Sequence, residues 1–437
     1  MSSVYEVVRS KCIDADPYTT AGNVRVNSKP AHESRVTMTE FISSSQCNLK
    51  GFAYAGVILG WIDIAAGIAA KRHAVSPSVT RSVDDVAFLH PVKMGDIVYI
   101  QASVNKSWKT SMEVGVKVEA ESPLSNERFF VAHAYLTFVA LSPRPSARTY
   151  LGRMLSDLQT IPVPEIMPQS PMELKRFEMA ESRRQTRFKN KKADYSLIRE
   201  RMREWSQGLR QRADADAPIK HHPGYFPLAG TPSEEKEEEE LVFLAQKKGR
   251  RFSQDPRMLQ QIKERPISYT FAEVVELVMP QHANTLKITF GGQIMDWMER
   301  CALASANRLA KAHLLTASID SLNFIASSGV GDVVTIRSVV SRAFNSSMEV
   351  YVTVEAENLL TGETKFTNDG FFTITALDND NVPVIIPKVV PQTECGMEIY
   401  EGGQERRSKR LHQRRELVNL INASRKTALP SVVMEQV

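Results

Sequence analysis

Residues 281–313 read QHANTLKITFGGQIMDWMERCALASANRLAKAH, and a diverged version lies at residues 45–77, SQCNLKGFAYAGVILGWIDIAAGIAAKRHAVSP. Identical residues recur at a fixed interval, as with Asn48 and Asn284 (284 − 48 = 236). The matches continue without a gap as far as Leu377 in the second copy. Self-similarity at such a long period indicates two copies of one domain, because solenoid repeats recur every ~20–50 residues.

The matching positions include turn, polar and aromatic residues, so shared hydrophobicity alone does not explain them. Among them are Gly56/Gly292, Trp61/Trp297, Thr80/Thr316, Asp84/Asp320, Phe88/Phe324, the Gly-Asp turns at 95–96 and 331–332, and the SMEV runs at 111–114 and 347–350. Two copies of a domain in one chain can build a site between them.

Each copy shows the same order of predicted elements. A polar loop with an asparagine and a turn of small residues comes first. A helix that is apolar on nearly every side follows, at about 57–73 and 293–311. Four runs with the alternation of β-strands come next, at about 78–88, 96–108, 111–121 and 128–141, and at 315–324, 332–344, 347–357 and 364–377.

A helix that is apolar all round must be covered, and one antiparallel sheet curled around it provides the cover. The sequence therefore predicts an α+β fold with two hotdog domains, each a long central helix wrapped by a curved sheet. Because exposed sheet edges are costly unless paired, we expect the two domains to join as an intrachain pseudo-dimer.

The pattern divides the chain into five regions. They are an N-terminal tail at 1–30, the first hotdog domain at 31–142, a charged linker at 143–266, the second hotdog domain at 267–378, and a basic C-terminal tail at 379–437. We expect surface helices in the linker and disorder in its acidic run, SEEKEEEE at 233–240. The basic tail is interpreted as a solvated segment, with an RNA- or membrane-binding arm as the alternative.

Bulk composition bounds the function. A hydrophobic content of 42% is typical of a soluble globular protein, and a net charge of +5 does not call for a nucleic-acid partner. The four cysteines form no CxxC pair, which argues against zinc and disulfides. The apolar stretch Phe52–Ala70 has a charged second copy, so we expect no membrane span. We expect a cytoplasmic protein, with mitochondria as the alternative.

An asparagine and an acid stand at one spacing in both copies: Asn48 with Asp63 (63 − 48 = 15) and Asn284 with Glu299 (299 − 284 = 15). An acid within an apolar helix is expensive unless paired or used, and burial raises its basicity. It can serve as general base or nucleophile towards a polarised carbonyl. The small-residue helix starts at Gly56, Gly291 and Gly292 would supply backbone amides for an oxyanion.

Structural alternatives stay open at each position. The asparagines suit loop or capping roles, and the acids could be satisfied core carboxylates. A second constellation pairs basic residues with hydroxyls at strand turns, which suits a phosphate or an ordinary polar hairpin. Its members are Lys106, Thr110 and Ser111 in copy one and Arg342, Ser346 and Ser347 in copy two.

At these residues the chain resembles the animal-type tandem-hotdog acyl-CoA thioesterases, the cytosolic and brown-fat-inducible kind. The resemblance is carried by residues 281–313 and by GVILGWIDIAAGIAAKRHAVSPSVTRSVDD at 56–85. It extends to both SMEV runs and, more faintly, to AESRRQTRFKNKK at 180–192. Together it covers about Met38–Leu377.

The resemblance implies a thioesterase that converts acyl-CoA to a free acid and CoA without a metal or redox cofactor. It implies sites shared between the modules, Asn284 with Asp63 and Asn48 with Glu299, of which we expect the first to be the working one. The amides near Gly291 and Gly292 would polarise the thioester, and the second constellation would contact CoA phosphates. It also suggests a homo-oligomer, with three double modules as one form.

The chain departs from the family pattern at four positions. Lys287 stands where glycine is usual and Ile288 where a polar residue is usual, while Cys47 and Ala55 change the loop of copy one. These departures support a second hypothesis, an acyl-CoA-binding or scaffold protein whose sites have decayed. A third hypothesis is an RNA- or ribosome-associated protein that uses the basic tail and linker.

Overall fold

We analysed a computed structural model of the 437-residue protein. The structure describes residues 28–143, 149–150, 153–154, 158–189, 193–214 and 264–427. The acidic run that we expect to be disordered lies outside the described residues. Within them, the structure contains two copies of a long helix wrapped by an antiparallel sheet, which confirms the predicted α+β class and the two hotdog domains.

The first copy is built on helix α1, Ala55–Ala74. Its main strands are β2 (Val36–Phe41), β3 (Ser78–Val83), β4 (Val86–Ala87), β5 (Ile97–Ser107), β6 (Ser111–Ser122) and β7 (Glu127–Pro143). Shorter strands flank them: β1 (Ser28–Pro30), β8 (Thr149–Tyr150), β9 (Arg153–Met154), β10 (Leu158–Thr160) and β11 (Glu165–Met167). Two further helices follow, α2 (Pro171–Lys189) and α3 (Ser196–Asp214).

The second copy repeats this order around helix α4, Gly291–Leu309. Its strands are β12 (Arg265–Pro266), β13 (Ala272–Leu277), β14 (His313–Ile319), β15 (Leu322–Asn323), β16 (Asp332–Ala343), β17 (Ser347–Asn358), β18 (Thr364–Leu377) and β19 (Val389–Val390). Helix α5, Glu394–Thr427, comes last. Register shifts fall at matching places, such as Val104/Lys106 and Val340/Arg342, so the repeat extends to backbone irregularities.

The two sheets join edge to edge by exchanging short strands. The sheet of the first copy runs β15-β3-β7-β6-β5-β2, and that of the second runs β13-β16-β17-β18-β14-β4. The exchanged strands pair Leu322 with Val83 and Val86 with Ile319. One edge of each sheet, at β3 and at β14, is thereby covered by a strand of the other copy, which pairs hydrogen-bonding groups that would otherwise invite aggregation. The predicted pseudo-dimer is confirmed.

The two central helices pack directly against each other near their N-termini. A methyl group at Gly56 would lie 2.7 Å from the Asp296 Cα atom, and one at Gly292 would lie 2.7 Å from the Gly60 Cα atom. Such distances leave no room for a side chain, so glycine is required there by helix–helix contact. Over the described residues, no helix is long and apolar enough to cross a membrane.

The first strand of each sheet is absent from the elements read in the sequence. β2 and β13 are both edge strands, and each alternates buried or half-buried residues with exposed ones. Each holds only six residues, and an isolated short run of this kind predicts a strand weakly. Pairing to β5 and β16 across the sheet, rather than local preference, forms these strands.

Helix α2 of the linker is docked on the first copy. Arg183 and Arg187 reach the carboxylate of Glu113 at 2.6 and 3.1 Å, and Arg187 also pairs with Asp84 at 2.7 Å. The Glu113 side chain is fully buried. An unpaired charge there would be costly, so the two guanidinium groups stabilise the sheet and hold the helix in place.

Helix α5 makes the same contacts with the second copy. Arg406 and Arg410 each lie 2.6 Å from the carboxylate of Glu349, whose side chain is also fully buried. Arg410 pairs in addition with Asp320 at 2.9 Å. The interpretation of the basic tail as solvated is therefore wrong for this helix, because Arg406 and Arg410 bind buried acids of the domain.

Helices α2 and α5 belong to the repeat. Arg183 lies 3.6 Å from the ring of Tyr135, and Arg406 lies 3.9 Å from the ring of Phe371, its counterpart (371 − 135 = 236). The two arginines, however, are separated by 223 residues (406 − 183 = 223) rather than 236. The connection from strand β7 to helix α2 in copy one is therefore 13 residues longer (236 − 223 = 13) than the connection from strand β18 to helix α5 in copy two.

Helix α3 covers part of the second copy. Ile198 and Met202 are fully buried, while Arg199 pairs with Asp369 at 3.1 Å. The linker thus contacts both domains, α2 on the first and α3 on the second, and it forms surface helices as expected.

Candidate active site

Asp63 lies on α1, about two helical turns after its start, and is only 3% exposed. Its Oδ1 atom accepts a hydrogen bond of 2.6 Å from the Thr80 hydroxyl. Its Oδ2 atom accepts one of 2.9 Å from the backbone N–H of Gly292, at the start of α4. The acid of one copy is therefore held by the helix start of the other.

Glu299 makes the equivalent contacts at the pseudo-symmetric site. Its carboxylate accepts hydrogen bonds from the backbone N–H groups of Gly56 at 2.5 Å and Ala55 at 3.1 Å, and from the Thr316 hydroxyl. Neither helix has a capping side chain of its own at Tyr54 or Phe290. Each acid supplies that cap across the interface, where the helix dipole favours negative charge.

Burial raises the pKa of Asp63 above its ordinary value of 3.8 and that of Glu299 above 4.5. The hydrogen bonds from Thr80 and Gly292 act in the opposite direction on Asp63 because they stabilise the carboxylate. Loss of solvation is the larger effect. A carboxylate with a raised proton affinity is a better base than an exposed one.

The structure corrects the role predicted for two glycines. The amides of Gly56 and Gly292 are not open to an oxyanion, because both donate to a carboxylate. Gly291 lines the cleft described below, and its backbone N–H also stabilises the Asp63 carboxylate, which acts to lower the pKa of Asp63. A methyl group there would lie 3.2 Å from the Thr80 Cβ atom and 3.4 Å from Asp63 Oδ1. Its small size keeps space free beside the acid.

Asn284 is oriented by its own loop. Its Oδ1 atom accepts the backbone N–H groups of Leu286 at 2.9 Å and Ile288 at 3.2 Å. Since the oxygen is committed to these donors, the side-chain amide nitrogen must point away from the loop. Asn284 lines the same cleft as Asp63. A carboxamide held in this way is a fixed hydrogen-bond donor beside a buried acid.

The loop departs from the family pattern at a strained position. Lys287 adopts φ +59°, and its counterpart Gly51 adopts φ +74° (287 − 51 = 236). Left-handed backbone favours glycine, since other residues meet a steric penalty there. The loop keeps the same conformation with lysine at position 287. Lysine in place of glycine therefore adds backbone strain but does not move Asn284.

A cleft of about 500 Å³ brings the predicted residues together. Its walls come from both copies. Polar lining residues include Asp63, Thr80, Asn284, Thr289, Ser327, Ser328 and Asn368, and apolar ones include Ile64, Ile68, Phe138, Leu141, Leu158, Phe290, Ile294, Phe324 and Ile325. A mostly apolar cleft with a few convergent polar groups is typical of a small-molecule site.

The pseudo-symmetric site differs in three local features. The side-chain amide of Asn48 donates to the Leu314 carbonyl at 3.4 Å. Ala55 carries a methyl group where the first site has Gly291. The Lys50 ammonium donates to the carbonyls of Asp378 and Asn379, each at 2.7 Å, and so ties the loop to the end of the second sheet.

The six residues predicted to contact CoA phosphates do not line the cleft. Lys106 lies 3.0 Å from Glu181 of α2, and Arg342 donates to the Tyr400 carbonyl of α5 at 2.9 Å. The other four, Thr110, Ser111, Ser346 and Ser347, sit at or beside the β5–β6 and β16–β17 turns. The basic residues that line the cleft are instead Lys71 and Arg81.

Sequence reasoning gave no role to Thr80 and Thr316, although both appear among the matched pairs. Each hydroxyl donates to the acid of its own copy. The signal was a second constant spacing, 80 − 63 = 17 and 316 − 299 = 17. A β-bulge between Thr80 and Ser82 bends the strand next to this contact.

Comparison with known proteins gives matches to each copy and to most of the chain. The model of the thioesterase superfamily matches twice, at residues 50–125 and 286–363. Acyl-coenzyme A thioesterase 11 of Mus musculus is 29% identical over 87% of this chain and 54% of its own length. The chain thus spans about half the length of that relative.

Two further matches cover one copy. The uncharacterized acyl-CoA thioester hydrolase YkhA of Bacillus subtilis is 36% identical over 33% of this chain and 85% of its own length. A solved apo-hexameric acyl-CoA thioesterase is 36% identical over 35% of this chain and 97% of its own, with a TM-score of 0.34. On these sequence matches, the chain belongs to the thioesterase superfamily, with two hotdog domains in tandem.

Proposed function

We propose that this protein hydrolyses acyl-CoA thioesters in the cleft between Asp63 and Asn284. One observation carries the proposal: the buried Asp63 carboxylate of copy one stands in one cleft with the oriented Asn284 amide of copy two. The names of the relatives supply the substrate class, and a mostly apolar cleft with a few polar groups suits an acyl thioester.

Asp63 acts as the general base. Its carboxylate accepts a proton from water while the water oxygen bonds to the thioester carbonyl carbon. The carbon–sulfur bond then breaks, and the CoA thiolate leaves and takes up the proton. Thr80 and Gly292 hold the carboxylate from two sides, so it needs no reorganisation. General bases positioned in this way contribute about 100- to 10,000-fold.

Asn284 polarises the carbonyl. Its side-chain amide donates a hydrogen bond to the oxygen that gains negative charge as water adds. The loop amides that fix Asn284 Oδ1 keep this donor in place before substrate binds. Removing one such preorganised donor typically costs on the order of 100- to 1,000-fold in kcat.

A thiol-release assay across acyl-CoAs from acetyl to palmitoyl tests the proposal. We expect turnover by the wild-type chain without added metal or redox cofactor, and its loss in Asp63→Asn. Saturable acyl-CoA binding without thiol release would show instead that the protein is a binding module with decayed sites. No acyl-CoA binding at all would contradict the proposed substrate class.

The predicted assembly and compartment extend this proposal. A homo-oligomer, with three double modules as one form, remains a prediction, and light scattering of the purified chain tests it. The cytoplasmic location also remains a prediction, and fluorescence imaging of the tagged chain against a mitochondrial marker tests it.

A further inference from the structure

One face of α1 continues from Asp63 into the cleft. Asp63, Ile64, Gly67, Ile68 and Lys71 all line it, at the spacing of neighbouring positions on a helix. Ile64 and Ile68 are 40% and 37% exposed, although most apolar residues of this helix are fully buried. The wall next to the catalytic acid is therefore apolar and open, and it ends at the charged Lys71.

Gly67 leaves a gap in this wall. Opposite it stands Phe138, and a methyl group added to Gly67 would lie 3.7 Å from the Phe138 Cε1 atom. A methyl group would therefore already touch the ring, and the rest of a larger side chain would extend into the cleft that Gly67 and Phe138 both line. Gly67 lies one helical turn beyond Asp63, about 6 Å along the axis.

The second copy has closed the equivalent space. Leu303 occupies the position of Gly67 (303 − 67 = 236) and packs against the core. The position of Ile64 is taken by Arg300, which pairs with Asp296 at 2.6 Å. The open apolar wall is thus a property of α1 and not of the hotdog scaffold.

The two ends of an acyl-CoA differ in chemistry, and the cleft has both polar and apolar lining residues. The CoA arm carries amides, hydroxyls and phosphates, which suit polar lining residues such as Ser327, Ser328 and Arg81. An acyl chain is hydrocarbon and gains free energy only by leaving water. The wall from Ile64 to Ile68 is the surface that matches it.

We propose that the acyl chain lies in the cleft along α1, over Gly67 and beside Phe138, and that Gly67 determines the accepted chain length. This inference rests on the proposed thioesterase function. Acyl groups that extend past one helical turn from Asp63 use the gap, whereas an acetyl group ends before it. The substrate class is therefore acyl-CoA with a chain of medium length or longer.

The test is the change Gly67→Leu in the full chain, which installs the residue found at the matching position of α4. Gly67→Ala gives an intermediate volume, and Gly60→Ala is the control, since a methyl group at Gly60 meets nothing within 4 Å. We would measure kcat/KM for acetyl-, octanoyl- and palmitoyl-CoA. Binding of non-hydrolysable thioether analogues of the same lengths gives a second readout.

We expect Gly67→Leu to lower kcat/KM for octanoyl- and palmitoyl-CoA at least tenfold, since each methylene excluded from an apolar site is worth about fourfold. Acetyl-CoA turnover should change by less than about threefold, and the melting temperature should not fall, because leucine favours a helix more than glycine does. Analogue binding should lose its dependence on chain length.

Three outcomes would overturn the inference. An equal loss for all three substrates would place the CoA arm, not the acyl chain, along α1. No change in either readout, or a wild-type enzyme that rejects octanoyl-CoA, would show that the gap holds no acyl chain. If no acyl-CoA is hydrolysed, the function proposal fails, and the analogue binding series still decides where the chain lies.

Discussion

The two acid sites of this protein share a hydrogen-bonding scaffold and differ in what surrounds it. Asp63 and Glu299 each accept a threonine hydroxyl and the backbone amide of a glycine across the interface. At the first residue of the facing helix, the Asp63 site has Gly291 where the Glu299 site has the larger Ala55. The scaffold therefore joins the two copies at both sites, while this position distinguishes them.

The comparison of the two sites distinguishes a stabilising role of the acids from a catalytic one. Each acid caps a helix of the other copy, a role that needs neither cleft nor substrate. Capping alone would explain an acid at this position, which is the alternative that treats both acids as satisfied core carboxylates. The features that favour Asp63 as the proposed general base are its place in the cleft and the side-chain amide of Asn284 in the same cleft, whereas the Asn48 amide donates to the Leu314 carbonyl.

Asp63→Asn should have the largest effect. Asparagine keeps the shape and can still accept the Gly292 amide, so we expect the fold to persist while kcat falls about 100- to 10,000-fold. Glu299→Gln makes the matched change at the other site and should alter kcat less than about threefold. Steady-state thiol release and circular dichroism of both variants provide the measurement.

The opposite order of activity losses in the two variants would contradict the assignment of Asp63 as the general base. If Glu299→Gln lost most activity and Asp63→Asn kept it, the second site would be the working one. Near wild-type activity in both variants would remove the carboxylates from the mechanism altogether.

Asn284→Ala should have the next largest effect, on the order of 100-fold in kcat, because one preorganised donor to the carbonyl is lost. Asn48→Ala is the control, since Asn48 already donates to the Leu314 carbonyl and belongs to the second site. Separate kcat and KM values are needed. A rise in KM alone would show that Asn284 binds substrate without stabilising the transition state.

Gly291→Ala transfers the methyl group of Ala55 to the working site. The new carbon would lie 3.2 Å from the Thr80 Cβ atom, which is too close without a shift of a few tenths of an ångström. We expect kcat/KM to fall on the order of tenfold, less than the ~100-fold of a 1 Å misplacement. Ala55→Gly, made as the reciprocal variant, should leave turnover unchanged. A gain of activity in Ala55→Gly would show that the methyl group alone silences the second site.

Much of the fold could be predicted from the sequence because a pattern that is ambiguous in one copy can be checked against the matching residues of the other. The apolar helix 57–73 is ambiguous by itself, and its charged counterpart at 293–311 excludes a membrane span. The docking of α5 was missed for a related reason. Arg406 matches Arg183 at an interval of 223 and not 236, so a comparison at one fixed spacing does not align them. The buried acids Glu113 and Glu349, which give these arginines their role, sit inside the SMEV runs and look like exposed strand residues.

The site was predicted in part. Asp63 and Asn284 were found because their spacing is constant, and the structure brings them into one cleft. The glycine amides were assigned to the substrate, whereas Gly292 donates to Asp63. The proximity of two helices in three dimensions decides that bond, and no single copy contains it. Lys106 and Arg342 were assigned to phosphates, but α2 and α5 cover them.

The pH dependence of kcat/KM is the smallest effect and the most specific one. Because burial raises the pKa of Asp63 above 3.8, activity should be present above that raised pKa and lost as the pH falls through it. Glu299→Gln should leave the midpoint in place, since the proposed mechanism gives Glu299 no part in turnover. A midpoint that moves in Glu299→Gln would show that the two sites are coupled.

The same shift predicts a change in stability with a defined sign. A carboxyl group whose pKa is raised in the folded state binds its proton more tightly there, so ionisation costs stability as the pH rises through the window between the unfolded and folded pKa values. Asp63→Asn should therefore raise the free energy of unfolding at neutral pH, and the gain should disappear below pH 3.8, where Asp63 is protonated in both states. Urea unfolding of both proteins at pH 7 and pH 3.5 measures it. An Asp63→Asn variant that is less stable at pH 7 would mean that the carboxylate serves mainly as the cap of α4, and it would return Asp63 to the structural role that Glu299 retains.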